Sequence, residues 1–155
     1  MHKQGTRISA LTIPITIVCG LLASTVSTAA EMEARACSNR SLSGHFGSVA
    51  IGVLIGVPGL PAEAQFRSIG ASTFDGAGNF TSVEHTVING ATPAITWLAN
   101  FGTYSVNPDC TGTMVLNTPN SPVPLTLGLV IVRHGEEVRT VLDSNAISTV
   151  FLKVD

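Results

Sequence analysis

The sequence predicts an all-β fold: one antiparallel up-and-down (meander) β-barrel of about eight strands, preceded by a signal peptide. Three features of the chain point there. After residue 37 no long segment spaces its apolar residues as a helix would. Short β-rich runs recur instead, divided by Gly, Pro, Asn and Asp. Most of the links are hairpin-sized, which makes successive strands antiparallel neighbours. Eight runs in about 120 residues match a barrel that closes its own edges, with a sandwich of two sheets as the alternative.

The expected organisation is a signal peptide over residues 1–30, an N-terminal linker over 31–41 and a barrel domain over 42–155. Met1 to Arg7 carries Lys3 and Arg7 and no acid. Ile8 to Val26 then has no charge, and small residues follow at Ser27, Thr28, Ala29 and Ala30. That is the tripartite pattern of a secretory leader, cleaved after Ala29 or Ala30; Ala34-Arg35-Ala36 offers a second small-residue site farther from the apolar run. A retained anchor fits less well, because Pro14 and several Ser and Thr interrupt the stretch. Lipidation at Cys19 or Cys37 is disfavoured too. Val18 precedes the first, and Glu31, Glu33 and Arg35 part the second from the apolar run. The expected location is therefore secreted or periplasmic, with no membrane span after leader removal.

The whole chain has 8 Lys+Arg, 10 Asp+Glu and a net charge of −2. This near-neutral balance gives no electrostatic footprint for nucleic acid. Leader removal also takes Cys19, leaving Cys37 and Cys110 as an even pair in an oxidising compartment. One disulfide is the expected result.

The runs follow in order. Leu42 to Val57 alternates through Phe46, Val49, Ile51, Val53 and Ile55 before Pro58-Gly59-Leu60-Pro61 stops it. Gln65 to Phe74 is second and Asn79 to Ile88 third. On the third, Phe80, Ser82, Glu84, Thr86 and Ile88 share one face. Thr96 to Val106 and Thr111 to Leu116 follow, then Leu125 to His134, Glu137 to Asp143 and Thr149 to Val154. Asp75-Gly76-Ala77-Gly78, Asn89-Gly90, Asn107-Pro108-Asp109 and His134-Gly135-Glu136 supply the turn chemistry between them.

Gly44-His-Phe46-Gly47, Phe74-Asp-Gly-Ala-Gly-Asn79, Asn89-Gly90 and the stretch Gly102-Thr-Tyr-Ser-Val-Asn-Pro-Asp-Cys-Thr-Gly-Thr113 together resemble a family of small secreted bacterial proteins. The resemblance covers about residues 37 to 155 and is most specific in the last stretch. It implies a small β-barrel related in shape to lipocalins and allene oxide cyclase. It lends a fold and a compartment, but no activity and no functional residues. The apolar run Val49 to Leu60 departs from the pattern, being longer and greasier than a loop there should be.

Catalytic signatures are missing. Asp75-Gly-Ala-Gly-Asn79 lacks the full ligand set of a calcium loop, so a hairpin turn explains it better. His45, His85 and His134 form no metal-binding spacing, and no nucleophile elbow occurs. Neither a metal nor a cofactor is expected. Trp97, Phe101 and Tyr104 are the candidate ligand-binding aromatics, with Trp97 and Phe101 on one face of their strand and Tyr104 on the other. Glu84 is the strand-borne acid that an isomerase or cyclase of the allene oxide cyclase type would need. The leading expectation is a non-catalytic barrel that binds a small apolar ligand or serves a structural role. A surface adhesion module is the third reading. Val49 to Leu60 and Leu125 to Val132 are apolar on both faces, which points to a covering partner and so to a homo-oligomer.

Overall fold

Each of the eight β-rich runs forms a strand in the computed structural model, which describes residues 36–92, 94 and 97–154. The strands are β1 (Ser43–Ile55), β2 (Glu63–Asp75), β3 (Asn79–Ile88), β4 (Leu98–Val106), β5 (Thr111–Asn117), β6 (Leu125–Val132), β7 (Glu137–Leu142) and β8 (Ala146–Lys153). Every strand pairs antiparallel with the next, and β1 also pairs with β8, so a closed meander barrel results rather than a sandwich. The expected signal peptide, residues 31–35 of the expected linker and Thr96 lie outside the described residues.

Strand ends follow turn chemistry. Strand β6 stops at Val132, before the expected His134, because Arg133 and His134 both take positive φ and start a short 3-10 turn, η2 (Arg133–Gly135). Strand β8 begins at Ala146, three residues before the expected Thr149. The extra residues extend its ladder with β1, where Ala146 faces Val53. The greasy run after Val49 stays in β1 as far as Ile55, and only then does the Gly/Pro loop begin.

The barrel has two different ends. At one, the short β2–β3 and β4–β5 turns and η2 gather with η1 (Asn39–Ser41), which the Cys37–Cys110 disulfide ties to the β4–β5 turn. Aromatic packing fills that end. The Phe74 ring lies 5.1 Å from Phe46, 5.5 Å from Phe80, 5.3 Å from Tyr104 and 5.8 Å from Phe151, and three of the four contacts are edge-on. Leu42, Met114, Ile131 and Val138 complete the plug. Edge-on rings gain beyond area burial because the positive ring edge meets a negative face. Truncating Phe74 to Ala would cost about 3–5 kcal/mol.

Tyr104 also latches the plug. Its hydroxyl donates to the Leu42 carbonyl at 2.8 Å and lies 3.2 Å from the Asn39 carbonyl. Asn39 in turn accepts from the Val106 N–H at 2.9 Å. The β2–β3 turn is held by Asp75, whose carboxylate accepts from the N–H groups of Ala77, Gly78 and Asn79 and from the Asn79 side chain. Those bonds, the Asn79 side chain's first, hold the Asp75 carboxyl down at about 2. This carboxylate is committed to its turn.

The opposite end carries the longer loops after β1, β3 and β5 and the short link after β7. Strand tilt and coil at that end need close backbone approach. A side chain at Gly52 would strike the Ala146 carbonyl, and glycine removes that clash.

Candidate functional site

The inside of the barrel is layered. Above the aromatic plug, the inward positions change from large and apolar to small and polar. On β2 the inner residues run Phe74, Ser72, Gly70, Ser68, Phe66. On β3 they run Phe80, Ser82, Glu84, Thr86, Ile88, and on β4 Tyr104, Gly102, Asn100, Leu98. Thr140 of β7 faces Thr149 of β8 across the ladder. Toward the open end the inner side chains turn apolar again, with Leu54, Phe66, Ile88, Leu116 and Leu125 forming a rim.

Burial of the inner side chains at this end is mixed, with Ala64, Leu98 and Ile147 buried. On β3 the inner side chains pass from buried at Phe80 and Ser82 to half-buried at Glu84, Thr86 and Ile88. Ala50 and Leu54 on β1, Phe66 on β2, Leu116 on β5 and Leu125 on β6 are half-buried as well. Exposure of these inner side chains falls toward the plug, a funnel of decreasing exposure with Glu84 at its floor.

Beneath and around Glu84 the polar layer is incompletely satisfied. Ser72, Asn100 and Thr140 are 3%, 4% and 2% exposed, yet Ser72 Oγ, Asn100 Oδ1 and Thr140 Oγ1 have no hydrogen-bond partner. The Asn100 amide makes one long contact, Nδ2 to Ser82 Oγ at 3.4 Å. An unpaired buried polar atom costs about 1–3 kcal/mol.

Gly70 makes the space that Glu84 occupies. A side-chain carbon there would fall 2.9 Å from Glu84 Cγ and 3.0 Å from Ser48 Oγ, so the Glu84 side chain lies across the bare glycine toward Ser48. Burial pushes the Glu84 carboxyl up from its ordinary value, since the funnel floor disfavours charge. No cation reaches it among the described residues. Glu137, the other well-buried acid, is different: Arg139 Nε lies 2.7 Å and Arg133 Nε 3.2 Å from its two carboxylate oxygens. Two guanidinium groups make it a structural anion on the outside of β7.

The four residues singled out from the sequence do not share one site. Tyr104 and Glu84 point inward, Tyr104 in the plug and Glu84 at the funnel floor. Trp97 and Phe101 are outside, 56% and 64% exposed. The Trp97 ring lies 5.6 Å from His85, which projects outward from β3. The missed residues are Ser72, Asn100 and Thr140. Their signal was parity, because each lies an even number of positions from inward-facing apolar residues at both ends of its strand.

The outside of the barrel carries many exposed apolar side chains. Across β8, β1, β2 and β3, the residues Leu152, Val150, Val49, Ile51, Ile69 and Val83 are exposed and carry no charge. A groove of about 400 Å³ meets this face at Val83 and is lined also by His45, Phe46, Ala71, Ser72 and Asn100. On the far side Thr103, Ser105, Thr111, Thr113 and Thr126 share the surface with exposed Phe101, Val130 and Val141. Among the described residues no group of three His, Cys, Asp or Glu side chains could hold a metal ion, and no helix is long and apolar enough to cross a membrane.

Comparison with protein-family models, curated proteins and solved structures finds no match.

Proposed function

We propose that this protein is an exported β-barrel that binds a small, largely apolar ligand through the open end of the barrel. The observation that carries this reading is the funnel itself, with half-buried apolar side chains at its rim and under-satisfied polar groups at its floor. Ligand sites are typically of this composition, apolar walls with a few convergent polar groups. An eight-stranded barrel holds one small ligand when its inner side chains are small, and here Ser48, Ala50, Gly70, Ser68 and Thr149 leave the middle layer thin.

Export is supported by the leader pattern before residue 31 and by the Cys37–Cys110 disulfide, a bond characteristic of oxidising compartments. The resemblance to small secreted bacterial barrels belongs to the same reading, supported by the eight-stranded meander. Native mass spectrometry of protein purified without detergent tests the function directly. A bound small-molecule mass, lost on gentle activation, is the expected result. A bare chain, even after exposure to excess 1-octanol, would overturn it.

A second reading, self-association, is favoured by the exposed apolar residues on the outer face of β8, β1, β2 and β3, among which Arg67 also projects. A two-fold contact would cover Val49, Ile69 and Leu152. The occupant is a second copy of this chain. Sedimentation across micromolar concentrations should show a dimer, and a monomer throughout would remove this reading without touching the funnel.

A further inference from the structure

The outer wall over β1 and β2 is self-complementary in shape and in charge. Resting on the self-association reading above, we propose that two copies pair about a two-fold axis lying across these strands. It passes between Val49 and Gly47 on β1 and between Ile69 and Ala71 on β2.

The ladder register sets the shape. Leu152, Gly47, Ala71 and Val83 are successive partners on β8, β1, β2 and β3, so they form one outward row. Val150, Val49, Ile69 and His85 form the next row, two residues along each strand and so about 7 Å away. On the two central strands the second row is large and the first is small. A two-fold axis between the rows lays each row over the other row of the second copy. Val49 and Ile69 then sit over the second copy's Gly47 and Ala71, large over small where two convex walls come closest. The dent at Ala71 belongs to the groove that Val83 and Val154 border. On β8 and β3 the walls curve apart, and there Val150 faces Leu152 and His85 faces Val83, large over large.

The exposed area suffices for a dimer. Val49, Ile51, Ile69, Val83, Val150 and Leu152 range from 37% exposed at Val150 to 54% at Ile69. At that exposure the six leave roughly 500 Å² of apolar surface in water, and each partner of a standard homodimer buries about 800 Å², about 65% of it apolar.

The charges choose the direction of the axis. Arg67 and Asp75 both project outward from β2, on opposite sides of the axis. The pairing places Arg67 over the second copy's Thr73, one outward position, about 7 Å, from its Asp75. A guanidinium spans that distance, and symmetry makes the contact twice. Arg67 spends one N–H on its own Phe66 carbonyl and keeps others for the contact. An axis running along the strands would instead lay Arg67 over the second copy's Ile51, its ladder partner, and leave the cation against hydrocarbon.

Sedimentation equilibrium at micromolar concentrations, in low and high salt, tests this with wild type, Ala71→Glu, Arg67→Glu and Thr126→Glu. All three positions are exposed in the single chain, so the substitutions leave the barrel intact. Thr126 lies on β6, across the barrel from β2. Wild type should be a dimer. Ala71→Glu should raise its dissociation constant about a hundredfold or more, because it traps an unpaired carboxylate under Ile69. Arg67→Glu should raise it about tenfold in low salt and less in high salt, and Thr126→Glu should leave it unchanged. A dimer that Ala71→Glu or Arg67→Glu leaves intact, or that Thr126→Glu dissociates, would overturn this axis while self-association stands. A wild-type monomer throughout would overturn self-association and this inference with it.

Discussion

Replacing Tyr104 by Phe removes one oxygen and keeps the ring. The ring's edge contact with Phe74, at 5.3 Å, therefore survives, and the loss is confined to the latch. Burial, aided by the charge of Asp75, pushes the Tyr104 hydroxyl up from its ordinary value, so at neutral pH it is a protonated donor. Its shorter bond, 2.8 Å, goes to the carbonyl of Leu42, a residue with no exposed surface. Water cannot easily replace that donor. The cost is then that of an unsatisfied buried carbonyl, about 1–3 kcal/mol, with about 1.5 kcal/mol as the central expectation. For a domain of this size that lowers Tm by about 5–8 °C. In urea the midpoint should fall while the slope stays unchanged, since the change exposes no new surface on unfolding. Tyr104→Leu should cost more, because it also deletes the ring packing. A Tyr104→Phe variant within about 0.3 kcal/mol of wild type would refute the latch, since ordinary surface changes fall in that range.

Other outcomes follow from the same contacts. Replacing Cys37 and Cys110 by Ser releases a constraint spanning 73 residues, for a loss of up to about 4 kcal/mol and a similar response to reductant in calorimetry; no change in Tm would contradict it. Glu84→Gln should be more stable than wild type at neutral pH. A raised carboxyl pKa favours the fold at low pH, and that stability is lost as pH rises from 4.5 through the folded value. The advantage of the variant should therefore vanish below pH 4.5, and an advantage constant with pH would count against the desolvated floor. Asp75 has the opposite sign. Its carboxyl sits at about 2 against 3.8, so its contribution is complete above 3.8 and fades as pH falls toward 2. Asp75→Asn should be destabilised at neutral pH and converge on wild type near pH 2, as followed by acid titration of unfolding.

Much of the barrel was legible in the chain because its turns are chemically explicit. Asn89 and Gly90 take the positive φ that their types allow, and the hairpin between β3 and the next segment begins there. Faces were harder. On β2 the middle residues invert the usual pattern, with Ser68, Gly70 and Ser72 inward and Ile69 and Ala71 outward. Only Phe66 and Phe74, which share parity with the serines, fix the assignment. The same logic places Glu84 inward through Phe80 and Ile88. On and just before β4, Trp97 and Phe101 compete with Leu98 and Tyr104 for the interior, and size alone favours neither set. Gly102 decides it, since a side chain there would collide with the Phe80 ring and the Val115 carbonyl. That contact is between strands and has no local signature. The unpartnered atoms of Asn100 and Thr140 are likewise a property of the closed barrel, because Ser, Thr and Asn in a strand ordinarily read as the wet face.

The proposed function requires ligand to enter and stay at the barrel end that carries the loops after β1, β3 and β5. Amide chemical shifts recorded while 1-octanol is titrated into the labelled protein locate the site residue by residue. Saturable shifts at Leu54, Phe66, Glu84, Ile88, Leu116 and Leu125, with the outer positions Ala71, Val83 and Ala99 unmoved, are the predicted result. Shifts confined to those outer positions, or none that saturate, would contradict it.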